Sequence, residues 1–140
     1  MFLILFLYCM DTQLLKNMRK ISIGFDEKEF TATLLDNVTA DAIYSAVPFK
    51  GYAQIWGEEI YFEIPVYMKQ EPDAIEEVEV GDIAFWPPGN AFCIFFGRTP
   101  VSTRNKPRAY SPVNIFGKIE GSLDALKAVK SQSLVQVKKV

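Results

Sequence analysis

The side chains that could do chemistry in this chain lie in residues 56–62, the turn at 86–90 and residues 98–102. Within them Trp56, Glu59, Phe62, Trp86, Arg98, Thr99 and Ser102 are of types that suit a ligand-binding groove. Arg98 follows an apolar run and Gly97, where its paired N–H donors could hold a carboxylate or a carbonyl. Thr99 and Ser102 place hydroxyls around Pro100, whose ring fixes the backbone. Trp56 and Trp86 offer apolar walls. Each has a plainer alternative: a solvated Arg at a strand end, hydroxyls that shape a loop, tryptophans that fill a core. Glu58 and Glu59 are adjacent. In a strand they would point to opposite faces, which argues against a pair sharing one proton and towards a solvated turn.

The chain has no histidine. That excludes Ser-His-Asp and Cys-His catalysis, His-ligated zinc and a histidine pH switch. Its two cysteines, Cys9 and Cys93, are too few for a metal site or a disulfide framework. Cys93 lies inside an apolar run and reads as a small buried hydrophobe. No catalytic residue, cofactor or metal is therefore expected. The net charge of −2 argues against a nucleic-acid binder that works through bulk positive charge. Arg104, Lys106 and Arg108 lack the interleaved aromatics of a single-strand binder and read as a solvated loop.

The elements that must position these residues are mostly strands. A chain of 140 residues with 14% aromatics suits one β-rich domain. Ile21, Ile23 and Phe25 alternate, and residues 30–35 return as a second strand of a hairpin. Asn37 or Thr39 caps a short helix with Val38, Ala42, Ile43, Ala46 and Val47 on one face, stopped by Pro48. Residues 52–56 and 59–64 are further strands, the second with Ile60, Phe62 and Ile64 inward. Residues 83–86 and 92–96 form an apolar hairpin around Pro-Pro-Gly-Asn. Residues 99–112 read as a loop, 113–119 as a strand, 122–129 as a second short helix and 134–137 as a last strand. Many short strands and two short helices suggest a closed or nearly closed barrel.

The first ten residues are apolar but too short to span a bilayer, which takes roughly 20. Three readings fit residues 1–17: an extension ahead of a true start at Met18, a segment that packs on the domain or a partner, and an atypical export signal. The first is favoured, because a clean strand pattern begins just after Met18. Residues 18–140 then form a single domain. Cytoplasmic location is the default, with no membrane partner.

The motifs Asn37-Val-Thr-Ala, Trp56-Gly-Glu-Glu-Ile-Tyr-Phe, Gly81-Asp-Ile-Ala-Phe-Trp-Pro-Pro-Gly and Phe95-Phe-Gly-Arg-Thr-Pro-Val-Ser occur in one order. Together they resemble the atypical cyclophilin-like family of small prokaryotic proteins, largely without assigned activity. The resemblance implies a mainly β fold, a closed cyclophilin-like β-barrel of about eight strands with two short helices over its ends. Prolyl isomerases on that barrel carry Phe-His-Arg and Gln-Gly-Gly-Asp signatures, and both are missing here. Three functions follow in order of preference: a non-catalytic binder of a peptide or small-molecule ligand at the barrel rim, a divergent peptidyl-prolyl isomerase using Arg98 as donor, and a homo-oligomeric interaction protein.

Overall fold

The structure, a computed structural model, describes residues 19–140. The expectations for the N-terminal extension and for Cys9 lie outside those residues. Strands β1 (Lys20–Phe25) and β2 (Lys28–Leu34) form the expected hairpin. Asp26 turns the chain at φ 51°, a conformation that Asp tolerates better than most residues. The alternation sends Ile21, Ile23, Phe25, Phe30, Ala32 and Leu34 into the core.

Helix α1 (Val38–Ala46) follows. The Asn37 side chain accepts from the Ala40 N–H at 2.8 Å, a cap that satisfies one orphan donor. Its amide also donates to the Ile115 carbonyl at 3.0 Å, which ties the helix start to the sheet. Of the expected face, Ile43 and Val47 are buried and Ala42 and Ala46 pack against the core, and Thr39 and Ala40 are buried beside them. Val38 departs from that face and is 58% exposed, because Thr39 and Ala40 supply the buried side of the first turn.

Eight more strands complete the sheet: β3 (Phe49–Tyr52), β4 (Gln54–Trp56), β5 (Glu59–Glu63), β6 (Ile75–Glu77), β7 (Asp82–Trp86), β8 (Ala91–Phe95), β9 (Arg108–Ile119) and β10 (Leu134–Lys139). The order is β3-β10-β1-β2-β9-β7-β8-β5-β4, with β6 paired to β9. The sheet therefore has ten strands, not about eight, and its ladder is open, not closed. The two ends, β3 and β4, are consecutive in the chain and joined at Ala53. Before Ala53 the chain pairs with β10, and after it with β5. A continuous segment that changes partner at Ala53 joins the two ends of the ladder. The second expected helix is a five-residue 3-10 helix (Asp124–Ala128). Ser122 accepts only weakly from the Asp124 N–H, at 3.4 Å, so it caps no α-helix.

Residues 99–112 are not all loop. Strand β9 begins at Arg108, four residues before Pro112. Pro112 falls where the β6 register is irregular, between the Ile75–Val113 and Glu77–Arg108 pairs, a place that tolerates a missing N–H. The basic residues are held by acidic ones: Arg104 to Glu77 at 2.6 Å, Lys106 to Glu79 at 2.8 Å and Arg108 to Glu76 at 2.7 Å. Among the described residues no helix is long and apolar enough to cross a membrane.

Two hydrophobic clusters lie on opposite faces of the β5-β8-β7-β9 region. The larger contains Ile60, Phe62, Ile83, Phe85, Phe92, Ile94 and Phe116. The smaller contains Val78, Ala84, Ala91, Cys93, Phe95, Ala109 and Val113, with Tyr61 and Trp86 packed against it. Strands β7 and β8 are thus buried on both faces, which is why they read as continuous apolar runs rather than alternating ones. The smaller cluster is the floor on which the candidate site is built.

Candidate ligand pocket

Period-two alternation sends Ile60 and Phe62 inward and leaves Glu59 and Tyr61 on the face of the smaller cluster. Trp56 on β4 stands directly opposite Glu59 in the ladder, and Cys93 on β8 stands opposite Tyr61. Trp86 ends β7 on the same face, and β9 brings Ala109, Tyr110 and Val113. These residues line an open pocket of about 280 Å³.

Glu59 is only 6% exposed. Burial pushes its carboxyl up to about 7, against the opposing pull of a hydrogen bond from the Cys93 side chain. Burial also pushes the Cys93 thiol well up, helped by the nearby Glu59 charge. Cys93 therefore stays an S–H donor and not a thiolate nucleophile. No lysine or arginine among the described residues lines the pocket. Glu59 is thus a buried acid with a thiol partner and no cation. It can exchange a proton near neutrality, or it can face a positive charge brought from outside.

The walls are aromatic. The Tyr110 ring lies 6.2 Å from the ring of Trp56 and 6.2 Å from that of Trp86, nearly perpendicular to each, at 71° and 89°. The Trp86 indole donates to Ser111 Oγ at 2.7 Å, so its N–H is used in holding the ring and its face is left for contact. A second cavity of about 420 Å³ shares Tyr61 and Trp86 and runs on past Tyr52, Glu63 and Gln132. It adds a second carboxylate and, among the described residues, no basic side chain.

Gly89 sets the position of Trp86. A Cβ built there would stand 2.6 Å from the indole ring, far inside van der Waals contact. Gly89→Ala is expected to push the ring out of the pocket wall and to cost about 1 kcal/mol of stability, less than overpacking a closed core. A shifted tryptophan emission maximum together with a modest fall in the denaturation midpoint would register both effects.

The seven residues picked from the sequence divide. Trp56, Glu59 and Trp86 come together in the pocket. Phe62 does not: it is 1% exposed in the main core, stacked on Phe92 at 4.9 Å. Arg98, Thr99 and Ser102 do not line the pocket either. The Arg98 guanidinium donates to the Ser102 carbonyl at 3.3 Å. The Thr99 N–H donates to Ser102 Oγ at 3.0 Å, and Ser102 Oγ donates to the Lys106 carbonyl at 2.8 Å. This knotted loop supports the β4–β5 turn, whose Glu58 N–H donates to the Arg98 carbonyl at 2.8 Å. Gly57 makes the approach feasible. It sits at φ +60°, and a Cβ would come within 2.9 Å of Arg98 and Pro100. The loop thereby holds the turn that carries Trp56 and Glu59.

Sequence reasoning missed Tyr61, Cys93, Ala109, Tyr110 and Val113 as lining residues. The alternation that faces Glu59 outward also faces Tyr61 outward, so that signal was available. Among the described residues no three acidic or cysteine side chains gather as metal ligands.

A search of the curated proteins finds no match. The solution structure of a hypothetical protein, AF2241 from Archaeoglobus fulgidus, is similar at 37% identity and a TM-score of 0.76. The alignment covers 89% of this chain and 96% of that one. A family model described as cyclophilin-like matches residues 19–138, and with nearly the whole described fold inside that match the chain belongs to the cyclophilin-like family.

Proposed function

We propose that this domain is a non-catalytic binding module that takes a small ligand, or one side chain of a peptide, into the pocket around Glu59. The observation that carries this reading is a buried carboxyl, with no basic residue beside it, at the base of an open aromatic pocket. An apolar residue would satisfy the packing at that position without the desolvation cost of a carboxylate. Displaced ionisation in a cleft marks functional sites more often than structural ones. The volume is near the lower bound for ligand pockets, which suits a compact group, and the adjoining cavity gives the remainder of a larger ligand a path. The isomerase reading relied on Arg98 as donor, and Arg98 is not among the pocket's lining residues. Nucleic acid does not enter the proposal, because Arg104, Lys106 and Arg108 are paired to β6 and its flank.

The test is ¹H–¹⁵N NMR of the full chain against a panel of small cationic, anionic and neutral compounds. Saturable shifts centred on the two indole N–H signals would support the site. Hits that map elsewhere, or none at all, would contradict it.

A further inference from the structure

Resting on that reading, we infer that the ligand group held by the pocket is a small alkyl-substituted ammonium ion, the kind of cation that needs few hydrogen bonds. The argument is one of complementarity. Trp56, Trp86, Tyr61 and Tyr110 surround the space, and aromatic faces attract cations, most strongly where water is displaced. Ala109 and Val113, both buried, add apolar surface that suits N-methyl or N-alkyl groups. Glu59 supplies the single negative charge, and the second cavity continues with Glu63.

Alkyl substitution follows from the shortage of acceptors. A bare ammonium carries three N–H donors that must be satisfied on leaving water. Glu59 can accept from it, and beyond the Tyr61 and Tyr110 hydroxyls the side-chain lining is a thiol, two indoles and aliphatic groups. An anion is disfavoured twice, by the Glu59 charge and by the lack of any lining cation among the described residues.

The groups facing Glu59 fix the pH dependence. They are the Cys93 thiol on β8, which donates to it, and the side chains that share the pocket lining, Tyr61 on β5, Tyr110 on β9 and Trp56 on β4. Burial holds the thiol protonated. The Glu58 carboxylate packs instead over Gly97. Glu59 is then the group that changes charge near neutrality, with a midpoint of about 7. Cation binding should strengthen as the pH rises through that value and weaken roughly tenfold between pH 8 and pH 6.

The only two tryptophans of the chain, Trp56 and Trp86, both line the pocket, so intrinsic fluorescence reports on it. The full chain would be titrated at pH 8 with choline and with 3,3-dimethylbutan-1-ol, its neutral isostere. Choline is expected to bind saturably and at least roughly tenfold more tightly than the alcohol. That margin is expected to narrow in Glu59→Gln to what the aromatic faces alone supply, and binding should weaken in Tyr110→Ala, whose exposed side chain (72%) can be removed without threatening the core. Equal binding of alcohol and choline would overturn the ammonium inference and leave the pocket reading standing. A response to neither compound, together with no hit in the NMR panel, would overturn both. Choline binding unchanged in both variants would place the cation elsewhere and also overturn the inference.

Discussion

Replacing Glu59 with Gln is expected to stabilise the folded protein by about 3 kcal/mol above pH 7 and to change little at pH 4. Unfolded, the Glu59 carboxyl ionises near 4.5, and folded, at about 7. Between those values the folded state keeps the proton that the unfolded state has released. The stability associated with the protonated form is therefore full below about pH 4.5 and is lost as the pH rises through about 7. The gap corresponds to about 3 kcal/mol, and with Glu59 6% exposed solvent screens little of it. Gln keeps the shape and hydrogen-bonding capacity of the neutral acid and never ionises. Urea denaturation of both proteins across pH 4–8 isolates this effect, because the Asp82 carboxyl, also raised by burial, cancels in the difference. A difference that grows by about 3 kcal/mol up to pH 7 is the expected curve. A flat difference would mean that the Glu59 carboxylate is solvated.

Phe92→Ala is expected to cost about 3–5 kcal/mol, enough to unfold a domain of ordinary stability or bring it to the edge. Phe92 is fully buried. Its ring stacks on Phe62 at 4.9 Å and meets the edges of Phe116 at 5.1 Å and Phe49 at 6.3 Å. Those partners come from β5, β9 and β3, so one side chain links three strands to β8. The cavity left behind cannot collapse easily, because the strands around it are held by their ladders. The denaturation midpoint should fall steeply with the slope unchanged. A loss below about 1 kcal/mol would show that the core repacks around the gap.

The two variants probe opposite faces of one sheet, and the sequence exposes those faces unequally. Residues 21–25 and 59–64 alternate apolar with polar or amphipathic side chains, so the alternation shows which of them enter the main core. On that pattern Phe62 belongs with Ile60 and Ile64 in the core, and Glu59 with Tyr61 outside it. Strands β7 and β8 are buried on both faces, and there the period is lost. Trp86 thus looked like the end of a core run, although its ring forms a pocket wall. Arg98, Thr99 and Ser102 have side chains apt for binding, but their hydrogen bonds turn inward on their own loop. Nothing in local sequence separates those outcomes, since both depend on where the β4–β5 turn docks. Tyr110 was hidden for a related reason. Pro112 and three cations suggest a loop, and only the acidic residues of β6 and its flank, distant in sequence, draw that stretch into β9.

The barrel count failed for a physical reason too. A closed ladder requires its two end strands to pair with each other, whereas here the end strands β3 and β4 are consecutive in the chain and pair with β10 and β5. The β4–β5 hairpin that follows sets Trp56 opposite Glu59 and so builds one wall of the pocket.

The most direct measurement is a carboxyl ¹³C NMR titration of the full chain labelled at glutamate, with Glu59→Gln identifying the Glu59 signal. A midpoint near 7 is expected in the free protein, moving lower with saturating choline, because a ligand that favours the ionised form must lower the midpoint by linkage. A midpoint near 4.5 that choline leaves unmoved would contradict both the buried acid and its role as the charge that meets the ligand.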